Sequence, residues 1–219
     1  MFIEIPPHFL ADIATDSDRV PTLYYSRYWL LRKFFWMRLR LIYFQIKRDK
    51  EPKTSCLDFG GGGGVFLPTL SKYFKSVVCV DLEDSEARKV VEKYNLQNVK
   101  LLREDIANIK LSDAPFDTII AADVLEHFQD LSVPVAAFRN WLRKGGTLYT
   151  SLPTENYIYV FLRKIFKITK PWDHYHTGYE VEAYLKNSGF KKIQWAYVPF
   201  YLGVFPLFLV STWKLDETL

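Results

Sequence analysis

An acid and three glycines occupy alternate positions in the stretch "LDFGGGGGVF", as Asp58-x-Gly60-x-Gly62-x-Gly64. An apolar run, "SCLDF", precedes the glycines, and "VFLPTLSKYF" follows with helical spacing. A flexible spacer would have polar flanks, so the pattern favours a turn between a strand and a helix. In such a turn glycine lets the backbone approach a ligand closely, and the helix N-terminus offers N–H groups. The dinucleotide fingerprint fails in all three registers, and the phosphate loop lacks its lysine.

Four histidines are the side chains best suited to proton transfer near neutral pH, namely His8, His127, His174 and His176. His127 ends "DVLEH", directly after an apolar run, and the other pair lies in "KPWDHYHTGY". We predict pocket or general-base roles for His127, His174 and His176; the alternative is a surface or capping role. The pair at i, i+2 has no third ligand at a recognisable spacing, so we predict no metal site.

Strand and helix signals alternate after residue 54, which predicts parallel strands joined by helices. Near-continuous apolar runs are typical of strands buried on both faces. Asp84 or Ser85 is expected to cap one helix, and Gly145 or Gly146 to end another. The predicted strands are "SCLDF", "SVVCVD", "VKLLRED", "FDTIIAAD", "TLYTSL", "KKIQWAYV" and "LFLVSTW", and the helices "VFLPTLSKYF", "DSEARKVVEKY", "LSVPVAAFRNWLRKGG" and "YEVEAYLKNSGF".

Composition indicates a folded globular protein of 219 residues, with 49% hydrophobic and 25% charged residues. A net charge of +4 is too small to indicate nucleic acid by itself. Cys56 and Cys79 lie in apolar strands, so buried, reduced thiols are expected. The N-terminal stretch lacks the basic start followed by an apolar core that is typical of a secretory signal. We therefore predict a cytoplasmic protein.

Five of these stretches, in order, resemble the motifs of class I S-adenosylmethionine-dependent methyltransferases, in their small-molecule branch. They are "LDFGGGGGVF", "VVCVDLED", "LLREDIANI", "FDTIIAADVLEHFQD" and "LRKGGTLYTSLP". The resemblance covers roughly residues 54–213. It implies a Rossmann-like, doubly wound α/β fold. The sheet would have seven mostly parallel strands and a C-terminal antiparallel hairpin. It also implies S-adenosylmethionine as cofactor, with S-adenosylhomocysteine as product.

The same resemblance implies roles for individual residues. Asp58 would lie near the cationic methionine end, and Asp81 would take the two ribose hydroxyls. Asp105, or its neighbour Glu104, would face the adenine amino group, with Ile106 beside the ring. The full set of implied cofactor-binding residues is Asp58, Phe59, Gly60, Gly61, Gly62, Asp81, Leu82, Asp105, Ile106 and Asp123. The family usually has small non-glycine residues at positions 61 and 63, and the extra glycines are expected to soften the loop.

Several acceptors are disfavoured. "ADVL" stands at the end of the fourth strand, where nucleic-acid amino-methyltransferases of this fold carry an Asn/Asp-Pro-Pro-Tyr/Phe motif. No cysteine follows that strand, so the nucleophile needed to methylate a cytosine carbon is absent. We therefore expect no DNA partner. The prediction is methyl transfer to a small or lipid-like acceptor. The alternatives are a protein or RNA methyltransferase and a non-catalytic scaffold that binds the cofactor. The failed glycine registers disfavour a nicotinamide oxidoreductase.

Outside this core we predict a helical extension or lid in residues 1–52, a methyltransferase domain in residues 53–219, and a substrate-side insertion at 153–176. Residues 24–50 and 156–172 are aromatic and basic, which fits either packing with snorkelling cations or peripheral contact with an anionic membrane. Residues 193–213 carry no charge. Pro199, Gly203 and Pro206 favour two strands there over a membrane span.

Overall fold

The computed structural model describes residues 1–14, 19–105, 109, 111–165, 174–199 and 205–216. Within them the helices are α1 (Pro7–Ile13), α2 (Trp29–Arg48), α3 (Leu67–Leu70), α4 (Ser85–Tyr94), α5 (Ser132–Trp141), α6 (Tyr157–Ile165) and α7 (Gly178–Asn187). Short 3-10 turns lie at Thr22–Tyr24 and Leu125–His127. The strands are β1 (Ser55–Phe59), β2 (Ser76–Asp81), β3 (Val99–Arg103), β4 (Phe116–Ala122), β5 (Leu142–Pro153), β6 (Phe190–Val198) and β7 (Phe208–Leu215).

These strands form one seven-stranded sheet in the order β3-β2-β1-β4-β5-β7-β6. Neighbours from β3 to β5 are parallel, whereas β7 is antiparallel to both β5 and β6. The predicted fold class, including the antiparallel hairpin at the C-terminus, is confirmed. Because β1, β2 and β4 are parallel neighbours, their carboxyl ends meet at one edge, where this kind of sheet binds ligands.

Helices cover both faces of the sheet. On one face, residues of α1 and α2 such as Leu10, Trp36 and Ile42 share a buried cluster with Cys56 and Tyr149. On the other face, α5 and α7 complete a second buried cluster with the sheet. Burial of this kind is the main favourable contribution to folding.

Both cysteines are buried and free, as predicted. Burial raises the pKa of both thiols well above its usual range.

Two helix predictions need correction. The stretch after the glycines is α-helical only over Leu67–Leu70 and continues as turns. Helix α5 ends at Trp141, before Gly145 and Gly146, and β5 begins at once. Phe116 pairs with Leu142, and Thr118 pairs with Thr147, so residues 143–146 lie in a bulge of β5. Gly146 has no room for a Cβ, which would lie 3.1 Å from the carbonyl oxygen of Asp117.

The predicted N-cap position of Asp84 on α4 is confirmed, but the side-chain hydrogen bond expected of a cap is not formed. The carboxylate of Asp84 instead accepts a hydrogen bond from Nε of Arg88, one turn later, at 3.0 Å. A side-chain cap does exist on α7, where Thr177 and Glu180 form a capping box.

The uncharged stretch 193–213 forms parts of β6 and β7, as the prolines and glycine predicted; residues 200–204 lie outside the described residues. In the described part of the chain, no helix has the length and apolar character needed to cross a bilayer. Helix α6 covers the first part of the stretch 156–172, and residues 166–173 are not described. The domain boundary at residues 52/53 and the insertion limits stay predictions.

Candidate active site

The glycine run forms the predicted turn after β1. Gly60, Gly62 and Gly64 have φ values of +68°, +54° and +72°. Glycine adopts this left-handed region without the steric cost that a Cβ imposes. The N–H of Gly60 donates to the carbonyl oxygen of Val80 on β2 (2.9 Å). These alternating conformations account for the spacing of two residues between the glycines.

Gly61 and Gly63 lack space for a side chain. A Cβ on Gly61 would lie 2.7 Å from Oδ2 of Asp58 and 2.6 Å from Sγ of Cys79. A Cβ on Gly63 would lie 2.2 Å from Cγ2 of Val20. The N–H of Gly63 also donates to the carbonyl oxygen of Arg19 at 2.7 Å. The N-terminal segment therefore packs directly on the turn at Gly63, whereas the space beside Gly61 is occupied by side chains of the sheet.

Asp58 places a carboxyl group beneath this turn. The residue is 4% exposed, and its Oδ2 has no hydrogen-bond partner among the described residues. Burial, followed by the negative charge of Asp81, raises its pKa from 3.8 to about 7. A buried carboxylate of this kind is stabilised by an approaching cation, because an opposite charge favours its ionised form.

Asp81 ends β2 and faces the same turn. Its Oδ2 accepts a hydrogen bond from the N–H of Gly62 at 2.9 Å. Its Oδ1 lies 3.1 Å from Nη1 of Arg19, whose side chain is 34% exposed. A diol bound to both oxygens of Asp81 would therefore replace Arg19. The next residue, Leu82, is half exposed, so its side chain is accessible to a ligand.

The other predicted cofactor residues differ in accessibility. Phe59 is fully buried, with its ring 4.9 Å from that of Phe138, so only its backbone is available at the turn. Asp105 follows β3 and is exposed. Ile106 lies outside the described residues.

Asp123 follows β4 with a φ of +55°. Its N–H donates to the carbonyl oxygen of Ser151, and its Oδ1 accepts from the Ser151 hydroxyl at 3.1 Å. Its Oδ2 forms an ion pair with Arg38 of α2. The buried guanidinium of Arg38 also donates to the Tyr24 hydroxyl (2.8 Å) and to the carbonyl oxygen of Phe35 (3.0 Å). Helix α2 is thereby joined to the end of β4.

The structure brings together two of the three predicted histidines. His127 ends the 3-10 turn after β4, and its ring centroid lies 4.7 Å from that of His174. Nδ1 of His174 lies 3.1 Å from Oε1 of Glu155. His176 points elsewhere, with Nε2 3.3 Å from the carbonyl oxygen of Gln129. Glu126, fully buried beside His127, was not among the predicted site residues.

Sequence reasoning also missed Arg19 and Arg38. Both precede the core and reach the sheet edge only through tertiary packing, so no local pattern identifies them. Together, the edge offers two buried carboxyl groups, backbone N–H donors and a pair of imidazoles. Such a set suits a ligand that has a cationic end and a diol, with proton transfer nearby.

Comparisons with known proteins agree with this geometry. Residues 57–150 match the family of methyltransferase domains. A probable S-adenosylmethionine-dependent methyltransferase of Mycobacterium tuberculosis is 24% identical over 121 residues, which are 55% of this chain and 43% of that protein. The ubiquinone biosynthesis O-methyltransferase of Xylella fastidiosa is 30% identical over 112 residues, which are 48% and 44% of the two chains.

A solved structure, magnesium protoporphyrin IX methyltransferase from Synechocystis PCC 6803 with bound S-adenosylhomocysteine, superposes with a TM-score of 0.71 at 17% identity. The match covers 93% of this chain and 95% of that one. The chain spans less than half the length of the curated relatives it matches. The match to methyltransferase domains and the shared fold support the resemblance of the chain to class I S-adenosylmethionine-dependent methyltransferases. The names of these relatives support the expected cofactor, S-adenosylmethionine.

Proposed function

We propose that the protein transfers a methyl group from S-adenosylmethionine to a small or lipid-like acceptor. The observation that carries this proposal is the buried Oδ2 of Asp58, which lies without a hydrogen-bond partner among the described residues. Asp58 lies beneath the glycine turn. The carboxylate of Asp81 accepts a hydrogen bond from the same turn, and its charge acts on Asp58. The methionine part of the cofactor carries an ammonium and a sulfonium, and its ribose carries the diol that Asp81 suits.

The proposed cofactor site keeps the roles implied by the sequence. Asp58 faces the methionine ammonium, and the backbone of Phe59 and Gly60–62 lines the cofactor. Asp81 binds the ribose with Leu82 beside it. Asp105 and Ile106 take the adenine, and Asp123 closes the β4 side. The bound cofactor supplies the reactive methyl group, while this chain supplies position and electrostatics.

Orientation of donor and acceptor provides much of the acceleration in a displacement of this kind. For a hydroxyl acceptor, a base is also needed. His127 and His174 are the proposed candidates, because their rings lie against each other after β4. His176 is a weaker candidate, since its Nε2 faces a backbone carbonyl.

The acceptor class is supported by the names of two relatives and by the net charge of the chain. The Xylella relative is named for ubiquinone biosynthesis and the Synechocystis relative for magnesium protoporphyrin IX, which makes a small-molecule acceptor plausible. A protein or RNA methyltransferase is the alternative, but a net charge of +4 gives little support for RNA. A non-catalytic scaffold that binds the cofactor is the other alternative, and the pair of imidazoles after β4 favours an enzyme over it.

Replacing Asp81 with alanine is expected to weaken binding of S-adenosylhomocysteine at least tenfold, because the ribose hydroxyls lose a charged acceptor. Calorimetric titration of the ligand into the wild-type protein and the variant measures this change. Asp113→Ala is the matched control, since Asp113 is a partly exposed acid before β4, at the opposite edge of the sheet. Absence of binding by the wild-type protein would overturn the proposed function. Equal binding by wild type and Asp81→Ala would remove Asp81 from the site.

We further propose that this protein is a cytoplasmic enzyme and that it meets its acceptor at an anionic membrane surface. Helix α6 exposes 93% of Tyr157, 61% of Phe161 and 55% of Ile165, three positions one helical turn apart. Lys164 is exposed on the same helix. Apolar side chains accompanied by cations are typical of helices that lie in a membrane interface.

The double substitution Tyr157→Ser/Phe161→Ser is expected to reduce binding to vesicles at least fivefold, because burial of these rings in the interface would be lost. Co-sedimentation with phosphatidylcholine vesicles, with and without phosphatidylserine, measures the effect. Val133→Ser on α5 removes an apolar side chain that is 41% exposed and serves as control. If the wild-type protein stays in the supernatant with both kinds of vesicle, the membrane proposal is wrong, whereas the methyltransferase proposal is unaffected.

A further inference from the structure

Glu126, His127 and His174 converge at the carboxyl edge of the sheet. One potential ligand atom from each residue lies within 4.8 Å of the others. Two imidazoles and one carboxylate form the donor set of many three-ligand metal centres, in which further positions stay open for water or substrate. His127 and His174 meet edge to face, with an interplanar angle of 82°.

The chain holds these three residues in place through its backbone. The carbonyl oxygen of Glu126 accepts hydrogen bonds from the N–H groups of Tyr175 (2.8 Å) and His176 (3.4 Å). The segment that carries His174 is therefore fixed to the turn that carries Glu126 and His127. The next helix, α7, packs against the end of β5, since a Cβ on Gly178 would lie 2.8 Å from the carbonyl oxygen of Pro153. A ligand set positioned in this way needs little rearrangement to close on an ion.

A fourth residue orients one of the imidazoles. Nδ1 of His174 lies 3.1 Å from Oε1 of Glu155, and both side chains are 8% exposed. A carboxylate behind a ligating histidine fixes its tautomer and raises its basicity. With Nδ1 engaged by Glu155, Nε2 is the nitrogen that remains to bind an ion.

We propose that Glu126, His127 and His174 bind a divalent first-row transition-metal ion, with Glu155 as the positioning residue for His174. The histidines decide the class of ion, because Mg²⁺ and Ca²⁺ prefer all-oxygen ligands, whereas imidazole suits zinc and its neighbours. The sequence prediction of no metal site rested on the spacing of potential ligands along the chain, including the i, i+2 histidine pair. In the set proposed here His174 lies 47 positions after His127 and 48 after Glu126, and His176 is not a ligand.

The position of this site suggests its use. Val124 lies between Asp123 and the 3-10 turn and packs closely against Gly60. A Cβ on Gly60 would lie 2.3 Å from Cγ2 of Val124. The proposed ion thus lies on the strand connection that borders the proposed cofactor site. An ion there would take the place of the histidine base proposed above, because it would bind an acceptor oxygen and lower the pKa of its hydroxyl group. This use rests on the proposed function, whereas the metal site itself does not.

Co²⁺ is the probe for the test, because its visible absorption reports the ligands and geometry around it. Titration of Co²⁺ into the wild-type protein is expected to saturate at one ion per chain, with displacement by Zn²⁺ and none by an equal concentration of Mg²⁺. Glu155→Gln is expected to weaken binding by about 10–100-fold. His174→Ala should weaken it further, since a ligand is lost outright. His176→Ala is the matched control, because it removes a histidine two residues away and should leave the affinity unchanged.

Titration of S-adenosylhomocysteine into the same metal variants separates the two proposals. Unchanged binding by His174→Ala shows that the fold and the cofactor site are intact, and the isosteric Glu155→Gln keeps the test valid if the alanine variant does not fold. Metal binding without S-adenosylhomocysteine binding would support this inference and overturn the proposed function. No saturable Co²⁺ binding by the wild-type protein, or equal losses in His174→Ala and His176→Ala, would overturn the metal site.

Discussion

Arg38→Met is expected to lower the free energy of unfolding by about 3–5 kcal/mol, because it leaves a largely buried carboxylate without its cation. The side chain of Arg38 is 4% exposed and that of its partner Asp123 is 20% exposed. The guanidinium carbon also lies 3.8 Å from the ring centroid of Phe35. Methionine keeps much of the apolar packing but removes the charge and the donated hydrogen bonds. Urea unfolding followed by circular dichroism measures the loss.

A matched control lies on the same helix. Arg40 is half exposed and pairs with Glu4 at 2.6 Å, so Arg40→Met should cost no more than about 1 kcal/mol. Asp123→Asn allows a double-mutant cycle, since asparagine tolerates the positive φ at this position. The double variant is expected to lose less than the sum of the two single variants. Equal losses for Arg38→Met and Arg40→Met would show that the pair does not anchor α2 to the end of β4.

The sheet and the glycine turn could be predicted because their signals are local. Apolar runs with an acid at the end, as at Asp58 and Asp81, indicate strands that deliver a side chain to one edge. Alternate glycines indicate backbone with positive φ, which the structure shows at Gly60, Gly62 and Gly64. Each of these patterns lies within a few residues and needs no knowledge of distant contacts.

The end of α5 shows where local signals fail. Gly145 has the positive φ typical of a residue that follows a helix, at +72°, yet the helix ends four residues earlier. The Arg143 side chain pairs with Asp117 and with Glu51, which fixes residues 143–146 as a bulge against β4. The prediction that Gly145 or Gly146 ends the helix was therefore wrong, because contacts with residues distant in sequence hold this segment against β4.

The candidate site was incomplete for the same reason. Arg19 reaches Asp81 across 62 positions, and Glu126 meets His174 across 48. The spacing of residues within the motifs predicts neither of these two contacts. Residues that modulate a site from outside its motifs are thus found only when the chain is folded.

Asp58→Asn is expected to change the pH dependence of stability more than any other substitution at the site. Burial and the charge of Asp81 raise the pKa of Asp58 from 3.8 to about 7. Between these values the folded state binds more protons than the unfolded state, so stability falls as pH rises. Above pH 7 the ionised carboxylate costs about 4 kcal/mol, a penalty that asparagine does not carry.

The free energy of unfolding of Asp58→Asn should therefore exceed that of the wild-type protein increasingly from pH 5 to pH 8. Urea unfolding at four pH values in that range, without ligand, provides the measurement. Asp113→Asn, a partly exposed acid at the other edge of the sheet, should change little across the range. Parallel profiles for wild type and Asp58→Asn would contradict the raised pKa.

The affinity for the ligand should depend on the same carboxyl group, but it should rise with pH where the stability of the free protein falls. The ammonium of S-adenosylhomocysteine would favour ionised Asp58, so binding to the wild-type protein should release a proton and strengthen as pH rises through about 7. Asp58→Asn should bind more weakly above pH 7 and show no such dependence. Calorimetry in two buffers with different ionisation enthalpies counts the protons released. A wild-type affinity independent of pH would mean that the cationic end of the ligand does not face Asp58, even if the variant is more stable.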